Sequence, residues 1–130
     1  MSSNEPPEPP PLVIPDEQPA LQCSVSRRGS AVVVAVADEL DLLTVPEFSR
    51  TLTAIQAAAA GPVVLDLTAV TFLDSSGINA IVRASRDADD NPTRLRVVAD
   101  GPTVLKTIQL AGAHELITLV PTVDDALALP

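Results

Sequence analysis

Residues 63–84 read VVLDLTAVTFLDSSGINAIVRA, and the succession of residue types in this stretch decides the fold class. An apolar run stops at an acid, Asp74. Two serines and Gly77 follow. Then Ile78, Ile81, Val82 and Ser85 share one helical face, with Asn79, Arg83, Arg86 and Asp87 mostly on the other. A strand thus hands over to a helix. The pattern predicts the strand over roughly 62–67, residues 68–73 as its exit loop, and Asp74 as the helix N-cap. The Asp74 carboxylate is then placed to accept from the N–H of Ser76 or Gly77. Ser75 and Ser76 take the first two helical positions, beside free N–H groups and the positive end of the helix dipole. Glycine costs about 1 kcal/mol against alanine in a helix, so Gly77 in the first turn implies a close approach to the backbone there. Such a helix start suits an anion, or a partner that reaches a serine hydroxyl. Capping alone would also account for Asp74.

Upstream, LQCSVSRRGSAVVVAVADELD (21–41) reads as two strands around a turn at Arg27–Ser30. Leu21, Cys23 and Val25 alternate with polar residues, as on a half-buried strand. AVVVAVA (31–37) is apolar without alternation, as expected of a central strand covered on both faces. A helix over 44–60 follows. Thr44 and Glu47 have capping-box spacing, Pro46 lies in the first turn, and Phe48, Leu52, Ile55 and Ala59 form one stripe. Gly61-Pro62 ends it.

Downstream, DADDNPT (87–93) is a polar break and RLRVVA (94–99) a strand with leading charges. Val104, Leu105, Ile108 and Ala111 make a short helix that Gly112 can end through a left-handed residue. LITLV (116–120) is a last strand. Thr122, with Asp125 at capping-box spacing, opens a final helix through 129. The alternation of strands and helices implies an α/β domain over residues 21–130. Its sheet is mostly parallel, with one antiparallel N-terminal strand and about four helices. Residues 1–20 hold seven prolines and four acids and read as a disordered, solubilising tail, in which PPEPPP has the composition of a polyproline segment.

Composition narrows the function. The chain has 130 residues, enough for one core, and a net charge of −9 from 17 acids and 8 bases. Nucleic-acid backbones and anionic membranes are poor partners for such a surface, and a cationic protein patch is a better one. With two Phe and neither Tyr nor Trp, base stacking has no platform. Cys23 and His114 are the sole residues of their kinds, which excludes an internal disulfide and the usual zinc cluster. No motif implies a cofactor or a metal. The longest apolar run is too short to span a bilayer and no secretory leader is visible, so the expectation is a cytoplasmic protein.

The 63–84 segment resembles the signature of the STAS family, which includes bacterial anti-sigma-factor antagonists: an apolar strand, a short loop, then Asp-Ser-Ser/Thr-Gly-Leu opening a helix. DELDLLTVPEF (38–48) resembles the family's Gly-Glu-Leu/Ile-Asp loop, and residues 98–127 resemble its closing helix, strand and acid-Ala-Leu element. The resemblance implies a non-enzymatic binding protein. Such antagonists bind an anti-sigma factor, often a serine kinase, and free its sigma factor. Phosphorylation by the kinase ends the binding, and a phosphatase resets it. Carried over, the phosphoacceptor is Ser75, next to Ser76. The partner-binding edge would include Asp41, Asp74, Ser76, Gly77, Asn79 and Arg83, with Arg83 able to position the phosphate. Asp38 stands where the family usually has Gly, Ile78 where it has Leu, and Asn79 where a small Gly is frequent. A STAS scaffold or stress-sensing subunit without direct sigma control is the alternative.

Other classes fit less well. A receiver domain would recruit Asp38, Glu39, Asp66 and Lys106. However, it needs two strand–helix units between acid pair and acceptor, and a single helix intervenes here. A serine hydrolase would use Ser75 and His114, but residue 73 is Leu where a nucleophile elbow has Gly. Glycine-rich nucleotide loops are absent from the sequence.

Overall fold

The computed structural model describes residues 21–89 and 94–130. The expected tail, and residues 90–93 of the polar break, lie outside them. The elements run β1 (Gln22–Arg28), β2 (Ala31–Leu40), α1 (Val45–Ala58), β3 (Val63–Leu73), α2 (Ser75–Asp89), β4 (Leu95–Val98) and α3 (Pro102–Leu110). A 3₁₀ turn (Ala113–Glu115), β5 (Thr118–Val120) and α4 (Val123–Leu127) complete the chain. The five strands lie in chain order, with β1 antiparallel to β2 and the rest parallel.

This order decides where the helices go. Parallel strands added one after another by right-handed crossovers place every crossover helix on the same face. Accordingly Phe48 and Leu52 of α1, Ile78 and Ile81 of α2, and Val104 and Ile108 of α3 share one core. They pack with Val32, Val34 and Val36 of β2 and Val63, Leu65 and Leu67 of β3. The opposite face has a smaller cover. There Val33, Val64 and Val98 pack on Ala126 of α4. Adjacent residues of β2 therefore serve different cores, which is why its apolar run does not alternate.

Several expected boundaries shift, each for a physical reason. β1 is exposed along its whole length rather than half-buried, with Val25 at 53%, because neither hydrophobic core extends over it. Leu21, just before it, does pack on the main core. β2 runs on past 37 to Leu40, and Asp38 within it adopts a left-handed conformation with φ 67°. β3 continues through the expected exit loop to Leu73. Its pairing explains why it was hidden. Ala35 pairs Asp66 but Ala37 pairs Ala69, and Asp38 pairs Val70 but Glu39 pairs Phe72, so β3 twice carries one residue more than β2. The inward residues are then Leu67, Val70 and Leu73, spaced by three rather than two. α1 ends at Ala58, and α4 at Leu127 rather than 129. β5 starts at Thr118, because Leu116 is spent closing the 3₁₀ turn.

Two terminations follow the sequence closely. Gly112 has φ 73° at the end of α3, and the Thr122 hydroxyl accepts from the Asp125 N–H at 3.0 Å. Among the described residues no helix is long and apolar enough to cross a membrane.

Candidate functional site

The site forms where β2 and β3 end and α1 and α2 begin. At the close of β2, the Asp41 carboxylate accepts from the N–H groups of Leu43 (3.0 Å) and Thr44 (3.3 Å). Asp41, not Thr44, therefore satisfies the free amides ahead of α1. The expected capping box is not formed. The Thr44 hydroxyl makes no cap bond to the helix; it accepts from the Asp41 N–H at 3.0 Å and donates to the Glu39 carbonyl at 3.1 Å. Thr44 is buried, so its hydroxyl is turned inward to hold the loop rather than along the helix.

Asp74 joins this loop to α2. One carboxylate oxygen accepts from the Gly77 N–H at 3.1 Å, the N-cap bond expected from sequence. The other accepts from the Leu42 N–H at 3.3 Å, across 32 residues of chain. Desolvation pushes the Asp74 carboxyl up. The N–H groups of Gly77, Leu42 and Ser76 and the Ser76 hydroxyl outweigh it and hold the carboxyl below its ordinary value. Asp74 is thus an ionised tie between two loops.

Gly77 corrects one expectation. It is buried and its N–H belongs to Asp74, so it offers no surface to a partner. The close approach it permits is internal: a Cβ there would lie 2.6 Å from Leu73 Cδ1 and 2.7 Å from the Leu40 carbonyl oxygen. The glycine lets α2 start directly against the end of β2.

With Asp74 and Gly77 turned inward, Ser75 is left exposed and Ser76 is half-buried against Asp74. Ser75 opens onto a cavity of about 280 Å³ between α2 and the end of α3. Ile78, Asn79, Val82, Arg83, Arg86 and Leu116 also line it. Asn79 and Arg83 are exposed and share this groove with Ser75, whereas Asp41 reaches the corner through the Leu42–Asp74 link.

Sequence reasoning missed the apolar rim. Leu42 and Leu43 are 71% and 68% exposed beside Asp74, and Leu110 and Leu116 are exposed near the groove. The available signal was Leu42-Leu43 itself, a leucine pair just ahead of the α1 stripe, outside the repeat that buries Phe48 and Leu52. Residues recruited for other chemistries have other work. The Asp66 carboxylate accepts from the Thr68 N–H at 3.0 Å inside the β3 bulge, and His114 is exposed in the 3₁₀ turn, 3.6 Å from Glu115.

A sheet of five strands in chain order, backed by crossover helices and carrying an exposed Ser after an N-cap Asp, defines a STAS domain. The chain belongs to that family, whose domain model matches residues 22–126. It is similar to a crystal structure of an anti-sigma factor antagonist from Mycobacterium paratuberculosis. The TM-score is 0.76 at 33% identity, over 82% of this chain and 91% of that one. The anti-sigma-F factor antagonist RsfB of Mycobacterium tuberculosis is 28% identical over 108 residues, 83% of this chain and 88% of RsfB. The anti-sigma factor antagonist SpoIIAA in its unphosphorylated form is also similar. There the TM-score is 0.64 at 25% identity, with 82% of this chain and 92% of that one covered.

Proposed function

We propose that this protein is an anti-sigma-factor antagonist: it binds an anti-sigma factor, frees the sigma factor held by it, and releases its partner when Ser75 is phosphorylated. The observation that carries the reading is the exposed Ser75 hydroxyl directly after Asp74, on a corner braced by Asp74 and Asp41 and rimmed by Leu42 and Leu43. The relatives' names supply the partner class.

The apolar pair Leu42-Leu43 supplies contact area for the unmodified complex. The partner's kinase activity would join Ser75 Oγ to the γ-phosphorus of ATP, with ADP leaving and the hydroxyl proton passing to a base on the kinase. The phosphate adds about −1.5 to −2 charges at neutral pH. It would stand beside the ionised Asp74 and near Asp41, so a partner packed on this corner meets like charge and a bulky, solvated group. The protein acts by binding and not by catalysis, in the cytoplasm where transcription occurs, and a phosphatase restores the binding form.

The test is incubation with the cognate kinase and ATP, followed by mass spectrometry of the wild type and Ser75→Ala. Phosphate is expected on the wild type alone, and full modification of Ser75→Ala removes Ser75 as acceptor. In binding assays Ser75→Ala keeps affinity for the anti-sigma factor and Ser75→Glu loses it. Equal affinities for both would overturn the switch.

A further inference from the structure

We propose that the groove beside Ser75 is a seat, within the same molecule, for the phosphate that Ser75 receives, with Asn79 and Arg83 as its near ligands and Arg86 behind them. The proposal rests on the reading of Ser75 as phosphoacceptor and adds to it how the modified state is held.

On a chain with 17 acids and 8 bases, the cavity shared with Ser75 is lined by two arginines and no acid. Its other walls, Ile78, Val82, Ala111, Ala113 and Leu116, carry no charge. Helix geometry then orders the polar groups. Asn79 is one turn from Ser75, about 6 Å along the axis, where side chains are neighbours. Arg83 is two turns on, about 12 Å, and Arg86 one turn beyond that. Side chains on a helix lean toward its N-terminus, so the long arms of Arg83 and Arg86 lean back toward Ser75. Asn79 offers an amide N–H₂, and the arginines offer forked donors suited to phosphate oxygens.

The groups that face the phosphate from other elements are few. Asp74 lies at its base and Asp41 sits across the Leu42 link, and both oppose it. From the α3 side, Ala111, Ala113 and Leu116 line the groove and contribute no charge, while His114 and Glu115 do not line it. The Asn79, Arg83 and Arg86 row therefore supplies the attraction that balances the two aspartates. A seated phosphate lies along α2 beside Asn79 and Arg83, in a groove whose polar residues are exposed, so its charge stays at the binding corner. The modified form is then held against dephosphorylation as well as rejected by the partner.

The experiment uses the full chain with phosphoserine installed at position 75 during translation, titrated by phosphorus NMR. It is compared with the same protein bearing Asn79→Gly, Arg83→Gln, or Arg83→Gln with Arg86→Gln. All three substituted residues are exposed. Retention of the fold is checked by circular dichroism. The second phosphate pKa is expected to be lowest in the unsubstituted chain. It should rise by about half a pH unit in the double arginine variant and less in Asn79→Gly. Arg83→Lys, which keeps the charge, should recover most of the lowered value. Superimposable titrations for all the proteins would overturn the seat. Because the phosphate is installed without a kinase, that result leaves Ser75 standing as acceptor, whereas a failure of kinase labelling at Ser75 strikes the functional reading itself.

Discussion

An alanine at position 77 would gain about 1 kcal/mol of helix propensity. It would also press its Cβ to within 2.7 Å of the Leu40 carbonyl oxygen, a backbone atom that cannot rotate away. Overpacking of this kind costs about 1–3 kcal/mol, and the parting of α2 from β2 also strains the Asp74 bonds. The clash outweighs the propensity, so Gly77→Ala is expected to lose about 1–2 kcal/mol in urea unfolding. Asp38 presents the reverse case. Its φ of 67° is the conformation that favours glycine, and an L-residue pays about 1–2 kcal/mol for it, Asp somewhat less. Asp38→Gly relieves that strain but frees the unfolded chain by about 0.4–1 kcal/mol, leaving a small net gain at most. Asp38→Val, β-branched, should lose about 2 kcal/mol, and the ordering Gly, Asp, Val in melting temperature checks the point. By the family resemblance Asp38 stands where Gly is usual, and its left-handed backbone angle is the conformation that favours Gly. The sequence did not disclose that Gly77 faces inward, because a glycine's pattern is the same whether a ligand or its own chain approaches it. Asp74 is testable by pH. Its folded-state carboxyl lies below the ordinary value, so what it contributes is fully present above the unfolded pKa and is lost as pH falls through the lower, folded one. The Leu42 and Gly77 amide resonances should therefore titrate together below about pH 3.9, and Asp74→Asn should abolish that step.

At the scale of elements, α4 is held in a way that periodicity cannot show. It has five residues and would not persist alone. Arg96 on β4 is buried beneath it and donates to the carbonyls of Ala126 (2.8 Å), Leu129 (3.2 Å) and Pro130 (2.9 Å). A guanidinium thus serves as the helix's C-terminal cap from another strand. In RLRVVA it reads only as a leading charge, because burial of an arginine depends on a partner thirty residues away. Arg96→Met keeps the apolar stem but leaves those carbonyls without donors, at about 1.5–3 kcal/mol for charged hydrogen bonds. Hydrogen exchange should show α4 losing protection while β2 and β3 keep theirs. The same locality explains which elements were legible. The α1 and α2 stripes obey one period and were readable, whereas β3 was cut short because its two extra residues broke the period of two. The Thr44–Glu47 pair is a true spacing with a different use, since the Thr44 hydroxyl is spent on the Asp41 N–H and the Glu39 carbonyl.

For the whole molecule, the architecture separates the proposed switch at Ser75 from the fold. Helices α1, α2 and α3 share one face of the sheet, and the Ser75 corner stands where strands β2 and β3 end, outside that core. The bonds that brace the corner use Asp74, Asp41 and Gly77, and none of them uses the Ser75 hydroxyl. A phosphate at Ser75 therefore breaks no bond of the brace. It takes the net charge from −9 to about −11, and at physiological salt the added repulsion is screened within about 8 Å. The expected result is a phosphorylated protein whose melting temperature stays within a few degrees of the unmodified one. Its amide shifts should change only along residues 41–44, 74–86 and the groove wall at 111–116. Leu42→Ser with Leu43→Ser should mirror this behaviour, because both side chains are exposed: stability is unchanged while affinity for the anti-sigma factor falls about tenfold or more. Paired thermal melts and binding titrations check both. A fold that loosens on phosphorylation would mean that the corner is coupled to the core, and that release of the partner is conformational rather than electrostatic.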